Sequence, residues 1–299
     1  MNIDLLVILG PTASGKTRLG VELARRFSGE IISADSRQVY RGMDIGTGKD
    51  LAEYGTVPYH LIDILDPGCE FNLFQFQHRF LQLFSGIRER GHLPFLVGGT
   101  GMYLDTALRG YRLREVPESP TLRCELAPLS LDALAERLRQ TATRLHNTTD
   151  LLDRNRLVRA IEIAEFERAH TTEPLQEIRT LIFGVRWERH LLRQRITARL
   201  GDRLDQGMIE EVARLHEAGI SWETMEFYGL EYRFVARHLK GELNRNDLFQ
   251  KLNSAIHDFA KRQETWFRRM EKNGIEIHWL DGAGDPVAEA LGIVEKGPT

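Results

Sequence analysis

Residues 10–17 read Gly-Pro-Thr-Ala-Ser-Gly-Lys-Thr, and this G-x-x-x-x-G-K-[ST] spacing restricts what the first part of the chain can form. The segment follows an apolar run, Leu5–Leu9, and opens a stretch with helical periodicity, Lys16–Phe27. A strand, a glycine-rich loop and a helix in this order direct backbone N–H groups at a phosphate. Lys16 adds a positive charge, and the hydroxyl of Thr17 can bind Mg²⁺, the expected cofactor. The predicted phosphate-binding residues are Gly10, Pro11, Thr12, Ala13, Ser14, Gly15, Lys16 and Thr17.

The loop predicts a bound polyphosphate without identifying the reaction. Kinases, ATPases, GTPases and some transferases that use no nucleotide share it. One alternative is a small-molecule or nucleotide kinase, with ATP in the loop and Asp35 activating an acceptor hydroxyl. Another is a nucleotide-gated RNA-binding switch, although the sequence has no Asn-Lys-x-Asp run of the kind that reads guanine. Both alternatives remain open on the loop alone.

The length of 299 residues and the formal net charge of −3 limit the number of domains and the kinds of partner that the chain can have. A chain of this length predicts one large domain with an insertion, or two domains. The charge gives no overall attraction to nucleic acid, so RNA contact requires local basic patches. Cys69 and Cys124 have no metal-site or redox-pair spacing, which suits a reducing compartment. Because the first apolar run is too short to span a bilayer, we expect a cytoplasmic monomer without a membrane partner.

Strand candidates alternate with helices through the first hundred residues, at Leu5–Leu9, Glu30–Ser33 and Pro94–Val97. This alternation predicts a parallel, doubly wound sheet of the P-loop NTPase type in an α/β protein. Prolines at positions 117, 120 and 128 interrupt the pattern, as a crossing into an inserted segment would. We expect an α/β core of residues 1–115 and 178–299, with a helical insertion at 116–177 that would contact RNA if the chain acts on it.

Later segments extend this prediction. Thr180–Val185 reads as a return to the sheet, and residues 200–215 read as one amphipathic helix stopped by Gly219. A long helix is expected over Leu248–Lys272, followed by a strand at Ile275–Leu280. The residues after Asp281 are weakly patterned and are expected to fray.

Two polar segments follow predicted strands. Asp35 and its neighbours end the second strand candidate, and Gly98-Gly-Thr-Gly-Met-Tyr103 follows Leu96-Val97. Ligands of open α/β sheets bind at the carboxyl edge, so both segments are expected beside the phosphate loop. There Asp35 can act as a general base or organise magnesium, and Thr100 can reach the same ligand. The alternatives are a helix cap at Asp35 and a plain tight turn at residues 98–101.

Two basic segments have shapes that suit RNA. Arg154, Arg156 and Arg159 lie close together in the predicted insertion. In the late helix, Trp266 and Phe267 are flanked by basic residues: Lys261, Arg262, Arg268 and Arg269. Both segments also contain acidic residues, so a solvated helix face is the alternative.

Five segments, in order, resemble motifs of the tRNA dimethylallyltransferase (isopentenyltransferase) family over nearly the whole chain. They are Gly10–Thr17, Asp35–Thr47, His60–Pro67, Gly98–Tyr103 and Ala260–Arg268. The resemblance implies transfer of a dimethylallyl group from its diphosphate to the exocyclic amine of the adenosine 3′ to the tRNA anticodon. It places the prenyl diphosphate in the loop at residues 10–17.

The resemblance also implies roles for individual residues. Asp35, Ser36, Arg37 and Gln38 would face the adenosine. Thr100 and Arg123 look like catalytic residues of the family. Further residues would line the tRNA surface: Asn155, Arg156, Leu157, Val158, Arg159, Lys261, Arg262 and Gln263. From the chemistry, Asp35 is our candidate base, and Lys16 our candidate for stabilising the departing diphosphate.

The chain departs from the family pattern at three places. His146-Asn-Thr-Thr149 replaces a His-Pro-Asn-Asp run, and Ile256-His-Asp-Phe259 replaces Thr-Arg-Gln-Tyr. Tyr228-Gly-Leu-Glu-Tyr232 replaces a more usual Gly-Tyr-Lys-Glu. These differences leave the motifs around the predicted chemical centre intact and concern the fit to tRNA.

Overall fold

The structure is a computed structural model that describes residues 3–108, 113–141, 153–169 and 178–296. A six-stranded parallel sheet has the strand order β3-β2-β4-β1-β5-β6. Its strands are β1 Leu5–Leu9, β2 Gly29–Ala34, β3 Tyr59–His60, β4 Leu93–Gly98, β5 Thr180–Arg186 and β6 His278–Asp281. The sheet grows outward from β1 in both directions, which confirms the predicted doubly wound α/β fold. All five residues of β1 are buried. Because helices cover both faces of the sheet, this strand needs a continuous apolar sequence.

Twelve α-helices are described, together with a short 3₁₀ helix at Leu51–Glu53. The helices before the return to the sheet are α1 Lys16–Arg26, α2 Leu73–Glu89, α3 Gly101–Leu108, α4 Pro120–Leu126, α5 Leu131–Thr141 and α6 Arg154–Ala169. Those after it are α7 Arg189–Asp205, α8 Met208–Glu217, α9 Trp222–Phe227, α10 Leu230–Leu239, α11 Arg245–Lys272 and α12 Pro286–Lys296. One sheet face packs on α2, α3 and α11, and the other packs on α1 and α12.

Two predictions about the later helices are wrong. The single amphipathic helix expected over residues 200–215 is two helices, α7 and α8, separated at Gly207, whose φ of 98° is the left-handed conformation that glycine tolerates. Among the described residues after Asp281, Pro286–Lys296 is not frayed, because it forms α12 and buries Ala290 against the sheet. The stop at Gly219, whose φ is 100°, occurs as expected.

A buried carboxylate joins three strands at the amino edge of the sheet. Glu30 of β2 accepts two hydrogen bonds from Arg90, at 3.0 and 2.7 Å. Its oxygens also lie 2.6 Å from Nε2 of His60 in β3 and 2.7 Å from Nδ1 of His92, just before β4. The hydrogen bonds from Arg90, assisted by the two histidines, lower the pKa of Glu30 to about 2. This cluster aligns the strands whose opposite ends carry the site.

The chain divides into two compact units. One comprises Met1–Arg109 and Glu177–Thr299, and the other comprises Gly110–Gln176. In the second unit, the described helices α4, α5 and α6 share an apolar core that includes Leu126, Leu134 and Leu157. Leu157, which we expected at the tRNA surface, is fully buried in that core. None of the described helices is long and apolar enough to cross a membrane.

Candidate active site

The predicted phosphate loop connects β1 to α1 at the carboxyl edge of the sheet. Ala13 and Gly15 have positive φ values of 62° and 88°, so the backbone curls between strand and helix. A side chain at Gly10 would place its Cβ 2.7 Å from the Ser14 hydroxyl, which explains the glycine. The Ser14 hydroxyl is itself buried and, within the described residues, lacks a hydrogen-bond partner. An unsatisfied buried hydroxyl is costly, and a bound phosphate would satisfy it.

Three side chains from later in the chain fix the shape of the loop. Trp187 donates its indole N–H to the Ser14 carbonyl at 2.9 Å. Arg195 donates from Nε to the Ala13 carbonyl at 2.9 Å, and its guanidinium lies 4.2 Å from the centre of the Trp187 ring. Gln263 Oε1 accepts the backbone N–H of Thr12 at 2.9 Å. The loop is therefore held in one conformation by the residue that follows β5, by α7 and by α11.

Lys16 supplies the positive charge of the phosphate loop. Burial lowers the pKa of Lys16 to about 8, with the positive charges of Arg199 and Arg203 adding to the effect and the carboxylate of Asp35 opposing it. Its Nζ donates to the Pro11 carbonyl at 3.3 Å. Cations that repel one another favour an anion between them. The site therefore suits a polyanion such as a diphosphate.

Thr17 is the residue expected to bind Mg²⁺. It lies in the first turn of α1, and its hydroxyl has no hydrogen bond to the described residues. Among those residues, no three His, Cys, Asp or Glu side chains group to hold a metal. Mg²⁺ usually keeps several waters and binds through one or two protein groups and the phosphates of a ligand. A free hydroxyl beside a phosphate loop fits that pattern.

Asp35 and Thr100 lie together at the ends of neighbouring strands. Asp35 Oδ1 accepts the backbone N–H of Arg37 at 2.9 Å, so the carboxylate is oriented by its own loop. Thr100 Oγ1 accepts the backbone N–H of Ser36 at 3.2 Å, and its own N–H donates to Ala34 at 3.1 Å. The structure therefore joins the two segments that were expected to share a ligand.

The glycines of residues 98–101 are required by close packing. A Cβ at Gly98 would lie 2.3 Å from the Ala34 carbonyl oxygen, and one at Gly101 would lie 2.4 Å from the Trp266 ring. The turn therefore presses against β2 on one side and α11 on the other.

Both glutamines among the predicted site residues are buried. Gln38, expected to face the adenosine, accepts from the Ser33 hydroxyl at 3.0 Å and donates to the Gly48 carbonyl at 3.2 Å. Gln263, expected at the tRNA surface, is 7% exposed and is hydrogen-bonded to the phosphate loop. The amide groups of both residues are therefore used within the protein.

In the second unit, two of the predicted functional arginines share one carboxylate. Glu162 accepts from Nε of Arg123 at 2.7 Å and from Arg159 at 3.0 Å, and it also accepts the Ser119 N–H at 3.0 Å. Burial would raise the pKa of Glu162, but these hydrogen bonds outweigh it and lower the pKa to about 2. Both guanidinium groups therefore anchor α4 and α6.

The remaining predicted tRNA residues divide by exposure. Asn155 and Arg156 are exposed on α6, and Val158 is half-buried beside the core. On α11, Lys261 and Arg262 are exposed. Residues 146–149, where the sequence departs from the family pattern, lie outside the described residues.

Arg195, Arg199 and Arg203 were not identified as functional from the sequence. They recur every four residues along α7, so they share one face of that helix. Arg195 contacts the phosphate loop, while Arg199 and Arg203 lie close enough to lower the pKa of Lys16. Their spacing is a visible signal, although it does not reveal which way the face points.

Comparison with known proteins identifies the family of the chain. The family model described as IPP transferase matches residues 38–270, and the one described as isopentenyl transferase matches residues 3–55. The chain is 70% identical to tRNA dimethylallyltransferase 1 of Geotalea daltonii, over 100% of this chain and 97% of that protein. It is 51% identical to tRNA dimethylallyltransferase 2 of Shewanella sediminis, over 98% of each chain.

Solved structures show the same relationship. The tRNA isopentenylpyrophosphate transferase of Bacillus halodurans superposes with a TM-score of 0.72 at 34% identity, covering 98% of this chain and 95% of that one. A eukaryotic dimethylallyltransferase acting on tRNA superposes with a TM-score of 0.78 at 25% identity, covering 93% of this chain and 73% of that one. The chain therefore belongs to the tRNA dimethylallyltransferase family.

Proposed function

We propose that this protein transfers a dimethylallyl group from dimethylallyl diphosphate to the exocyclic amine of the adenosine 3′ to the anticodon in tRNA, releasing diphosphate. The observation that carries the proposal is the contact between the Asp35 and Thr100 segments, with the Ser36 N–H donating to Thr100 Oγ1 at 3.2 Å. It brings a candidate base and a candidate hydroxyl donor to the same sheet edge as the phosphate loop. That combination suits transfer from a diphosphate to a weak nucleophile.

The acceptor requires a base. The lone pair of an adenine exocyclic amine is shared with the ring, so the amine attacks poorly unless its proton is accepted as the new bond forms. In the proposed step the N–C bond forms, the C–O bond to the diphosphate breaks, and the amine proton passes to the Asp35 carboxylate. One Asp35 oxygen is oriented by the Arg37 N–H, which leaves the other to accept the proton. Such a positioned base contributes about 10²–10⁴-fold.

The departing diphosphate requires positive charge and hydrogen-bond donors. Lys16 and the N–H groups of the loop are placed to supply them, and Mg²⁺ held by Thr17 would neutralise part of the charge. The Thr100 hydroxyl accepts from Ser36 and retains its own proton to donate. We assign Arg123 no role in this step, since its guanidinium is bonded to Glu162 within the second unit.

The tRNA must present an unstacked base. Enzymes that modify a base extrude it from the stack, and unpaired loop bases are the RNA features that proteins read most readily. Exposed cations on α11, Lys261 and Arg262, suit contacts with the phosphates beside the target. The Arg262 guanidinium also lies 5.8 Å from the centre of the Phe259 ring, so an aromatic group stands next to the charge.

The proposal is tested by incubating the protein with bulk tRNA, Mg²⁺ and radiolabelled dimethylallyl diphosphate, with γ-labelled ATP in a parallel reaction. Label from the prenyl donor should appear in RNA and, after digestion, in a nucleoside derived from adenosine. The Lys16→Met variant serves as the control for adventitious labelling. Transfer of label from ATP alone would identify a kinase and refute the proposal.

A further inference from the structure

Gln263 makes a two-sided contact inside the site. Its Oε1 accepts the Thr12 N–H at 2.9 Å, and its Nε2 donates to the Gly99 carbonyl at 2.9 Å. One amide therefore joins the phosphate loop to the turn that carries Thr100. The donor and acceptor ends of the amide cannot be exchanged, because each faces a backbone group of only one kind.

The surroundings of Gln263 leave no room for another arrangement. The side chain is 7% exposed, and a Cβ at Gly99 would lie 2.4 Å from its Nε2. The bond to Thr12 also occupies the N–H of a loop residue, so this N–H is unavailable to a phosphate. The loop can present only its other N–H groups to the ligand.

We propose that Gln263 is a positioning residue for the prenyl donor. This inference rests on the proposed function and adds a residue to the same site. Gln263 holds the loop at the separation from Thr100 that the leaving diphosphate requires, acting through Thr12 and Gly99. Its neighbours Lys261 and Arg262 face solvent on the same helix, whereas Gln263 faces the interior.

Loss of a positioning residue and loss of a tRNA contact are expected to change different kinetic and binding constants. Gln263→Leu removes both hydrogen bonds and leaves two backbone groups without partners. Inorganic diphosphate should then bind roughly 10-fold more weakly. The KM for tRNA should stay within about 2-fold of wild type, while kcat falls by about 10²-fold through misplacement.

Gln263→Glu provides a test that simple structural damage cannot imitate. A protonated carboxyl has one donor and one acceptor, as the amide does, but an ionised carboxylate is acceptor-only and opposes the Gly99 carbonyl. Burial raises the pKa of such a carboxyl above its ordinary value of about 4.3. The affinity of Gln263→Glu for diphosphate, relative to wild type, should therefore recover as the pH falls.

The experiment measures binding of inorganic diphosphate with Mg²⁺ by calorimetry between about pH 5 and 8, together with transfer kinetics on an anticodon stem-loop. At low pH, Gln263→Glu should bind more tightly than Gln263→Leu, which carries no charge and no hydrogen bond. Arg262→Ala should show the opposite kinetic pattern, a raised KM for tRNA with unchanged diphosphate affinity. Lys251→Ala, an exposed position on the same helix, should change neither.

A raised KM for tRNA in Gln263→Leu with unchanged diphosphate affinity would overturn the inference and make Gln263 an RNA contact. A constant ratio of Gln263→Glu to wild-type affinity across the pH range would overturn it as well. Because Gln263→Glu is compared with wild type at each pH, the test holds even if Gln263→Leu fails to fold. If wild-type protein binds diphosphate but transfers no prenyl group, the proposed function fails while the hydrogen-bond test still stands.

Discussion

The hydroxyl of Tyr232 donates a hydrogen bond to Oε1 of Glu211 at 2.7 Å. The same carboxylate accepts the backbone N–H groups of Asp44, Ile45 and Gly46 at 2.9, 2.7 and 3.0 Å. Both side chains are buried. Tyr232 belongs to the segment that departs from the Gly-Tyr-Lys-Glu pattern, so here the departure serves to hold the loop that follows the second strand.

This contact predicts two different losses of stability. Tyr232→Phe should lower the free energy of unfolding by about 1 kcal/mol, since the carboxylate keeps its three backbone donors. Glu211→Ala should lower it by about 3 kcal/mol or more, because those donors become unsatisfied. Urea denaturation measures both. Tyr59→Phe is the matched control, since the Tyr59 hydroxyl has no hydrogen bond to the described residues, and an equal effect there would contradict the assignment.

Asp35→Asn should lower kcat by about 10²–10⁴-fold, because an amide cannot accept the amine proton. Diphosphate binding should survive, since the loop has its own supports. Steady-state kinetics and calorimetry separate the two effects. Asp66→Asn, on the exposed surface beside Arg41, should retain wild-type turnover. Near-normal turnover by Asp35→Asn would remove Asp35 from the mechanism.

Thr100→Ala should lower kcat by about 10²-fold while changing the KM for the prenyl donor much less. The physical reason is that a donor aimed at developing charge acts mainly in the transition state. Thr100→Ser retains a hydroxyl that can accept from Ser36 and donate to the leaving group, so it should recover most of the lost rate. The opposite result, a raised KM with unchanged kcat, would make Thr100 a binding residue only.

Anion binding should take up a proton at high pH. Because the pKa of Lys16 is lowered to about 8, the side chain loses its charge as the pH rises through that value. A bound anion favours the charged form of Lys16. Binding of sulfate, which does not itself titrate here, should therefore be accompanied by uptake of more than about half a proton by the protein at about pH 9 and of almost none at about pH 6.5. Calorimetry in buffers of different ionisation enthalpy measures this uptake. Equal uptake at both pH values would show that Lys16 is not the titrating group.

The central strands can be predicted from the sequence because a strand buried on both faces has a continuous apolar sequence. Leu5–Leu9 reads as an unbroken apolar run, and Pro94–Val97 does so nearly as clearly. By contrast, β3 is only two residues long, and Tyr59 is 39% exposed, so no apolar run marks it. The break at Gly207 is missed because the apolar periodicity continues across it into α8.

The site is predictable where chemistry is local to a motif. Lys16, Asp35 and Thr100 stand in segments whose spacing already suggests a ligand. Gln38 and Gln263 also lie in motif segments, but an amide side chain serves equally well as an RNA contact or an internal hydrogen bond. Only the positions of Gly48 and Gly99 in space decide between these roles.

Gln263 follows Thr12 by 251 positions, and this separation bears on when the enzyme becomes competent. A chain leaving the ribosome makes the anion-binding segment well before the glutamine that braces it. Until position 263 has been synthesised, the nascent polypeptide lacks the partner for that backbone N–H. A product terminated before that position would retain the loop sequence without the brace.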